Sequence, residues 1–92
     1  MSDDKKGVRV RIEGRVQGVW YRGWTVRAAG RLGLDGWVQN QDGGSVEAVF
    51  VGPAAKVDAM IERCRRGPPA AAVTAVHQTP FDDEVASGFH QR

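Results

Sequence analysis

The segment from residue 14 to residue 22 of this 92-residue chain, Gly-Arg-Val-Gln-Gly-Val-Trp-Tyr-Arg, carries residue types suited to binding an oxyanion. The glycines at positions 14 and 18 permit the positive φ angles and the close approach with which successive backbone N–H groups can point at one anion. The segment lacks the spacing and the lysine of a Walker loop, so it does not predict a nucleoside triphosphate site with magnesium. The chemistry that it could support is the binding of a phosphate-like group.

Arg22 lies where this segment passes into a predicted helix. The helix dipole opposes a cation in the first turn by about 0.3–1 kcal/mol, whereas a bound anion would attract both the dipole and the guanidinium. The guanidinium is also planar and can hold two phosphate oxygens at once, which an ammonium group cannot do. Arg22 is therefore a candidate anion ligand; from the residues alone, an ordinary surface arginine is the alternative.

The patterning on either side of the segment predicts the elements that position it. Apolar residues alternate with charged ones from Val8 to Glu13, which predicts a half-buried strand before the loop. Helix-favouring residues from Arg22 to Leu32, followed by Gly33 as a stop, predict a helix after it. The loop therefore connects a strand to the N-terminus of a helix.

The next part of the chain predicts a β-hairpin and a second helix. Strand-like runs at residues 36–40 and 45–51 flank the turn-forming sequence Asp-Gly-Gly at residues 42–44. Gly52 and Pro53 break the second run and open a helix that stops at Gly67. Its apolar stripe consists of Val57, Met60, Ile61 and Cys64.

A fourth strand over residues 72–78 and a short last one within residues 85–91 complete the pattern. The order strand, helix, strand, strand, helix, strand predicts an α+β fold of the ferredoxin-like βαββαβ type. In that fold an antiparallel sheet carries both helices on one face. We expect one domain over residues 1–92, in which residues 1–6 form a flexible tail.

The composition excludes several classes of protein. With 41% hydrophobic and 26% charged residues the chain is an ordinary globular domain, and no run approaches the roughly 18 apolar residues of a membrane helix. The charged start, Met-Ser-Asp-Asp-Lys-Lys, is unlike a secretory signal. Cys64, the single cysteine, can form neither an internal disulfide nor a zinc cluster. We therefore expect a cytoplasmic protein without a metal.

The charge is unevenly distributed although the net charge is only +2. Residues 1–31 hold eight lysines and arginines against three acidic residues, and the remainder of the chain holds five against eight. The excess of positive charge suggests that an anion is bound near the N-terminal half. Solvated charges on the surface of a strand and a helix are the alternative.

Two segments of the chain resemble the signatures of the acylphosphatase family. The first signature, Gly-x-Val-Gln-Gly-Val-x-Phe-Arg, is matched from Gly14 to Arg22, with Tyr21 in place of the usual Phe. The second is Gly-aromatic-Val-x-Asn, three residues, Gly-x-Val, five residues and Gly, and it is matched without a gap over residues 36–52. The resemblance covers nearly the whole chain and departs from the family at Gln91, where an aliphatic residue is common.

This resemblance implies hydrolysis of the carboxyl–phosphate bond of an acyl phosphate, giving a carboxylate and inorganic phosphate without a metal or cofactor. It assigns the in-line positioning of the attacking water to Asn40. It assigns phosphate binding to Arg22 and to the backbone of one loop. The residues of that loop are Arg15, Val16, Gln17, Gly18 and Val19. Because a carboxylate is a good leaving group, no strong general acid is required.

The expected partners are a small-molecule acyl phosphate as substrate and inorganic phosphate as product and competitive ligand. Nothing in the sequence calls for a nucleic acid, a membrane or a second subunit, so we expect a monomer. Without the resemblance, Asn40 would be interpreted as a turn residue at the end of a strand.

The other chemically distinctive side chains have structural interpretations. His77 and His90 have no identifiable nucleophile partner, and Cys64 is expected in the core. The three tryptophans, Trp20, Trp24 and Trp37, are expected to serve in packing and as pocket walls.

Two other functions are compatible with the same fold. One is a non-catalytic domain that senses phosphate or another anion, since a loop that binds phosphate need not turn it over. The other is an RNA-binding module, whose third strand should carry basic and aromatic residues. Here residues 44–51 contain only Phe50 and no basic residue, which argues against RNA.

Overall fold

The computed structural model of the chain describes residues 4–92, which form a five-stranded sheet and two helices. The strands are β1 (Lys5–Arg15), β2 (Asp35–Asn40), β3 (Val46–Pro53), β4 (Ala72–Pro80) and β5 (Phe89–Gln91). The helices are α1 (Tyr21–Arg31) and α2 (Ala54–Arg66). The strand order in the sheet is β4-β1-β3-β2-β5. The first four strands and the two helices follow the ferredoxin-like order, so the predicted fold class is confirmed.

The sheet is mixed rather than wholly antiparallel, which corrects one detail of the prediction. β1 pairs antiparallel with β3 and β4, and β2 pairs antiparallel with β3, but β5 runs parallel to β2. The cause is the path of the chain after β4. That strand ends at the edge of the sheet where β1 and β2 begin, and residues 81–88 cross along this edge. β5 therefore starts beside the start of β2 and runs in the same direction.

Alternation along β1 separates the two faces of the sheet. Val8, Val10 and Ile12 are buried under the helices, whereas Arg9 and Arg11 lie on the opposite, solvent-facing surface. The predicted stripe of α2 is confirmed, because its four apolar residues pack into the same core. The buried residues from the remaining elements include Val38, Val46, Ala48, Phe50, Val57, Met60, Ile61 and Cys64.

The first and third strands are longer than the pattern predicted. Lys5 pairs with Pro53 and Lys6 with Gly52, so the expected tail does not extend over residues 5 and 6, while residues 1–3 lie outside the described residues. Gly52 and Pro53 do not break β3 as predicted. The φ and ψ angles of Pro53, −57° and 135°, are those of an extended chain, so the strand continues to Pro53 and α2 starts at Ala54.

Candidate active site

The β1–α1 connection begins with a bend at Gly14. The pairing of β1 with β4 shifts register between Glu13 and Gly14, and Gly14 has a φ of 124°. A Cβ atom at this position would lie 2.1 Å from the carbonyl oxygen of Ala72, so only glycine fits. The bulge turns the chain away from the sheet edge, and the buried Val16 then fixes the start of the loop in the core.

Two further residues give the loop its shape. Gly18 has a φ of 75° in open space, so its requirement for glycine is conformational. Trp20 has a φ of 67° and a ψ of 26°, a left-handed conformation that costs a non-glycine residue about 1–2 kcal/mol. Trp20 is also the N-cap of α1 and supplies no side-chain hydrogen bond to the helix. The N–H groups of the first turn therefore receive no acceptor from their cap residue.

Gln17 fastens the loop to the β2–β3 turn. Its side-chain Nε2 donates to the main-chain carbonyl oxygens of Gln41 and Ser45, each at 2.8 Å. The turn itself is the predicted one, closed by the N–H of Gln41 donating to the carbonyl of Ser45 at 2.9 Å. Since Gln41 directly follows Asn40, the two hydrogen bonds of Gln17 set the position of the β1–α1 loop relative to the end of β2.

A cavity of about 280 Å³ lies where these elements meet. It is enclosed by the β1–α1 loop, the first turn of α1, the end of β2 and the last strand. The residues that line it are Val16, Gly18, Trp20, Tyr21, Arg22, Gly23, Asn40 and Gln91. The cavity thus joins the two sequence signatures, which are separated along the chain by most of α1.

Arg22 brings an uncompensated positive charge to this cavity. Its Nη1 donates to the main-chain carbonyl oxygen of Arg92 at 3.1 Å, which fixes the guanidinium at its outer end. No other hydrogen bond or ion pair of this side chain exists within residues 4–92, and the first turn of α1 contains no acidic residue. Most of its five N–H donors are therefore free to bind an anion.

Asn40, the last residue of β2, contributes a free amide. It lies on the same side of the sheet as the buried Val38, two residues before it, and is itself exposed to the cavity. Its side chain has no hydrogen-bond partner in the described part of the chain. Both its N–H donors and its oxygen acceptor are therefore available to a water molecule and a substrate.

The structure brings together only some of the residues proposed for the site. Arg22, Asn40, Val16 and Gly18 line the cavity, whereas three other loop residues direct their side chains elsewhere. Arg15 is exposed at the end of β1, and Val19 packs against the core. Gln17 is hydrogen-bonded to the β2–β3 turn. The phosphate binding predicted for residues 15–19 concerns their backbone N–H groups. It stays a prediction for each of these five residues.

Three residues that line the cavity were not predicted as site residues from the sequence: Tyr21, Gly23 and Gln91. Trp20 was predicted to serve in packing or as a pocket wall. In the structure Trp20 lines the cavity, and its indole lies against Gly23, which lines the same cavity. Gln91 carried a signal, since a polar residue at this position departs from the family pattern and predicts a short or weakly paired last strand. β5 is nevertheless paired with β2, and Gln91 lines the cavity.

Tyr21 differs from the usual phenylalanine by a hydroxyl group that has a defined partner. The hydroxyl donates to the main-chain carbonyl of Cys64 at 2.6 Å, in the last turn of α2, where carbonyls lack helical partners. Burial raises the pKa of the Tyr21 hydroxyl, so it stays protonated. Tyr21 thereby links the start of α1, which carries Arg22, to the end of α2.

The remaining titratable side chains lie outside the cavity. The Nε2 of His77 is 3.6 Å from a carboxylate oxygen of Glu13 on the solvent-facing side of the sheet, and His90 contacts the carbonyl of Ser87. Cys64 is fully buried, which confirms its predicted place in the core, and burial raises the pKa of its thiol to about 12. Residues 4–92 contain no cluster of three metal-binding side chains.

A second, larger cavity of about 470 Å³ lies between the two helices. It contains no residue of either signature, so we do not consider it the reaction site. Its lining residues are Trp24, Glu62, Arg63, Arg66 and Gly67. Over the described range, neither helix is long and apolar enough to cross a membrane.

Comparison with known proteins identifies what this arrangement resembles. Residues 8–91 match the model of the family described as acylphosphatase. Proteins named acylphosphatase from Rhizorhabdus wittichii and Rhodospirillum rubrum are 52% and 54% identical to the chain over 89 and 87 residues. These alignments cover 97% and 95% of the chain, and 90% and 96% of the respective relatives. The solved structure of an acylphosphatase from Coxiella burnetii superposes with a TM-score of 0.92 at 35% identity, covering 97% of this chain and 94% of that one.

Proposed function

The chain belongs to the acylphosphatase family, and from that premise we propose that it hydrolyses acyl phosphates to a carboxylate and inorganic phosphate in the cavity between Arg22 and Asn40. One observation carries the proposal. An arginine with free donors and an asparagine with a free amide face one small cavity beside a loop shaped by positive φ angles.

The phosphoryl group is held by the β1–α1 loop and Arg22. Backbone N–H groups between Arg15 and Val19 supply neutral donors, and the guanidinium supplies a fork that can bind two oxygens. Such donors stabilise the charge on the equatorial oxygens in the transition state without reorganising, which is the main requirement of phosphoryl transfer. The contact of Arg22 with the carbonyl of Arg92 supports this role, because it fixes the guanidinium before substrate binds.

Asn40 orients the attacking water. Its amide oxygen accepts a hydrogen bond from the water and thereby holds the water oxygen in line with the P–O bond to the acyl group. A new P–O bond forms as that bond breaks, and the electron pair leaves with the carboxylate. The proton of the water passes to a phosphate oxygen.

The cavity supports a reaction without a side-chain base. Within residues 4–92, the titratable side chains that line it are Tyr21 and Arg22. Tyr21 stays protonated and donates to the carbonyl of Cys64, and the guanidinium of Arg22 carries hydrogen-bond donors and no acceptor. Neither can take a proton from water, which agrees with proton transfer to the substrate.

The experiment is a phosphate-release assay on acetyl phosphate and benzoyl phosphate. We expect one phosphate and one carboxylate per substrate consumed, and inorganic phosphate should act as a competitive inhibitor that raises KM without lowering kcat. Calorimetric binding of phosphate without hydrolysis of either substrate would instead indicate the anion-sensing alternative.

The RNA-binding alternative gains no support. Phe50, the one aromatic residue of β3, is buried in the core, where it stacks on Phe89 with ring centroids 5.3 Å apart. Trp37 is covered by the guanidinium of Arg92, which lies 4.4 Å from its ring centroid. These rings are therefore not available as a platform for bases.

A further inference from the structure

Trp20 is a large apolar side chain that is exposed to solvent. Its fractional exposure is 57%, and no other large apolar side chain within residues 4–92 is classed as exposed. It occupies one of the two variable positions of the first signature, so the family pattern assigns it no role. Nevertheless it lines the same cavity as Arg22 and Asn40.

Three features of the chain hold the indole in this place. Its backbone adopts the left-handed conformation, which a tryptophan rarely adopts. Gly23 leaves room for the ring, because a Cβ atom there would lie 2.1 Å from the indole Nε1. The guanidinium of Arg27, one helical turn after Gly23 in α1, lies 5.4 Å from the centroid of the Trp20 ring. A ring that is both exposed and held at the cost of backbone strain is a candidate ligand contact.

We propose that Trp20 is the wall of the cavity against which the acyl group of the substrate packs. The chain therefore favours acyl phosphates with an aromatic or other planar apolar acyl group over acetyl phosphate. This inference rests on the proposed function, because it names the substrate class of that same site.

The chemistry of the cavity lining leads to this assignment. The phosphoryl group is charged and takes the loop amides and Arg22, so the uncharged acyl group is left for the rest of the cavity. The other sizeable apolar side chains there, Val16 and Tyr21, are each only 1% exposed and offer little surface. Trp20 lines the same cavity of about 280 Å³ as Gly18 and Arg22, so a group bonded to a phosphate held there lies close to it.

The first test compares kcat/KM for benzoyl phosphate and acetyl phosphate in the wild type, Trp20→Gly and Trp20→Phe. We expect Trp20→Gly to lower kcat/KM for benzoyl phosphate about tenfold more than for acetyl phosphate, since a ring contact is lost. Trp20→Phe keeps an aromatic face and should retain most of the preference. A glycine adopts the φ of residue 20 without strain, so the melting temperature of Trp20→Gly should not fall.

The second test requires no turnover. Phenacylphosphonate and acetonylphosphonate carry a CH2 group in place of the bridging oxygen of benzoyl and acetyl phosphate, and calorimetry measures their binding. We expect the wild type to bind the phenacyl compound about tenfold more tightly, and Trp20→Gly to lose most of this difference.

Each outcome decides the inference separately from the proposed function. If the wild type hydrolyses both acyl phosphates and Trp20→Gly lowers the two kcat/KM values equally, the inference is overturned and the function stands. If neither is hydrolysed, the proposed function fails, and the phosphonates still decide the role of Trp20. Equal affinities of the wild type for the two phosphonates, or no binding of the phenacyl compound, would overturn it.

Discussion

The side-chain Nε2 of Gln17 lies 2.8 Å from the carbonyl oxygen of Gln41, and so the loop proposed to bind phosphate is tied to the residue that follows Asn40. The second donor of the same amide binds the carbonyl of Ser45 at 2.8 Å. One side chain thereby fixes the distance between the two halves of the site. Such preorganisation matters in phosphoryl transfer, where catalysis depends on positioning.

Gln17→Met should loosen this connection. It removes both hydrogen bonds while roughly preserving volume, so we expect the free energy of unfolding to fall by about 1–2 kcal/mol and phosphate affinity to weaken several-fold. Denaturant unfolding and phosphate calorimetry measure the two effects. Gln39→Met is the matched control, since it loses a hydrogen bond to Glu47 without touching the loop. Equal phosphate affinity in the two variants would contradict the role of Gln17.

Arg22→Lys should lose most activity although the charge is kept, because an ammonium group cannot hold two phosphate oxygens at once. We expect kcat/KM for benzoyl phosphate to fall about a hundredfold or more. Arg31→Lys makes the same substitution at the exposed last residue of α1 and should turn over substrate at the wild-type rate. Near-normal turnover by the Arg22 variant would remove this residue from the mechanism.

Asn40→Ala should separate chemistry from binding. The loop amides and Arg22 are untouched, so phosphate Kd should stay close to that of the wild type while kcat falls about a hundredfold, equivalent to about 3 kcal/mol. The side chain of Asn40 makes no hydrogen bond with the rest of residues 4–92, so its loss should hardly change the melting temperature. A variant that melts earlier but turns over normally would show that Asn40 only ends a strand.

Tyr21→Phe should lower the free energy of unfolding by about 1–2 kcal/mol. The substitution leaves the carbonyl of Cys64 without its hydrogen-bond donor at the buried end of α2. Urea unfolding at neutral pH measures the effect. Because the usual family residue is phenylalanine, the loss of turnover should be far smaller than for Arg22→Lys, and a comparable loss would mean that the hydroxyl takes part in the reaction.

The protein should lose stability as the pH rises above about 9. In the unfolded chain the thiol of Cys64 ionises near 9, whereas burial in the folded chain raises its pKa to about 12. Between these values the folded state binds more protons than the unfolded state, so the free energy of unfolding decreases by up to about 1.4 kcal/mol per pH unit. Urea unfolding between pH 8 and 11 tests this. Cys64→Ala should flatten the dependence between pH 9 and 10, above which the Tyr21 hydroxyl adds a loss of the same sign because burial raises its pKa as well. A wild-type stability that is constant to pH 11 would contradict the prediction.

Local spacing by itself determined most of the elements. The alternation from Val8 to Glu13 and the stripe from Val57 to Cys64 have the periods of a strand and a helix, and both elements formed with the expected faces buried. Arg22 became a candidate from its residue type and its place at the start of a predicted helix, whereas Asn40 was predicted only through the resemblance to the acylphosphatase signatures. Such patterns are readable because they depend on neighbours within a few residues.

The tertiary structure alone decided how distant residues meet. Three features of the site bring together residues that are far apart in the chain. They are the hydrogen bond from Gln17 to Gln41, the position of Gln91 in the cavity wall, and the hydrogen bond from the Tyr21 hydroxyl to Cys64. These contacts depend on strand register and on the crossover that sets β5 parallel to β2, and neither has a local signal. The indole of Trp20 reaches the cavity for a similar reason, since its direction follows from a backbone conformation that residue preferences disfavour.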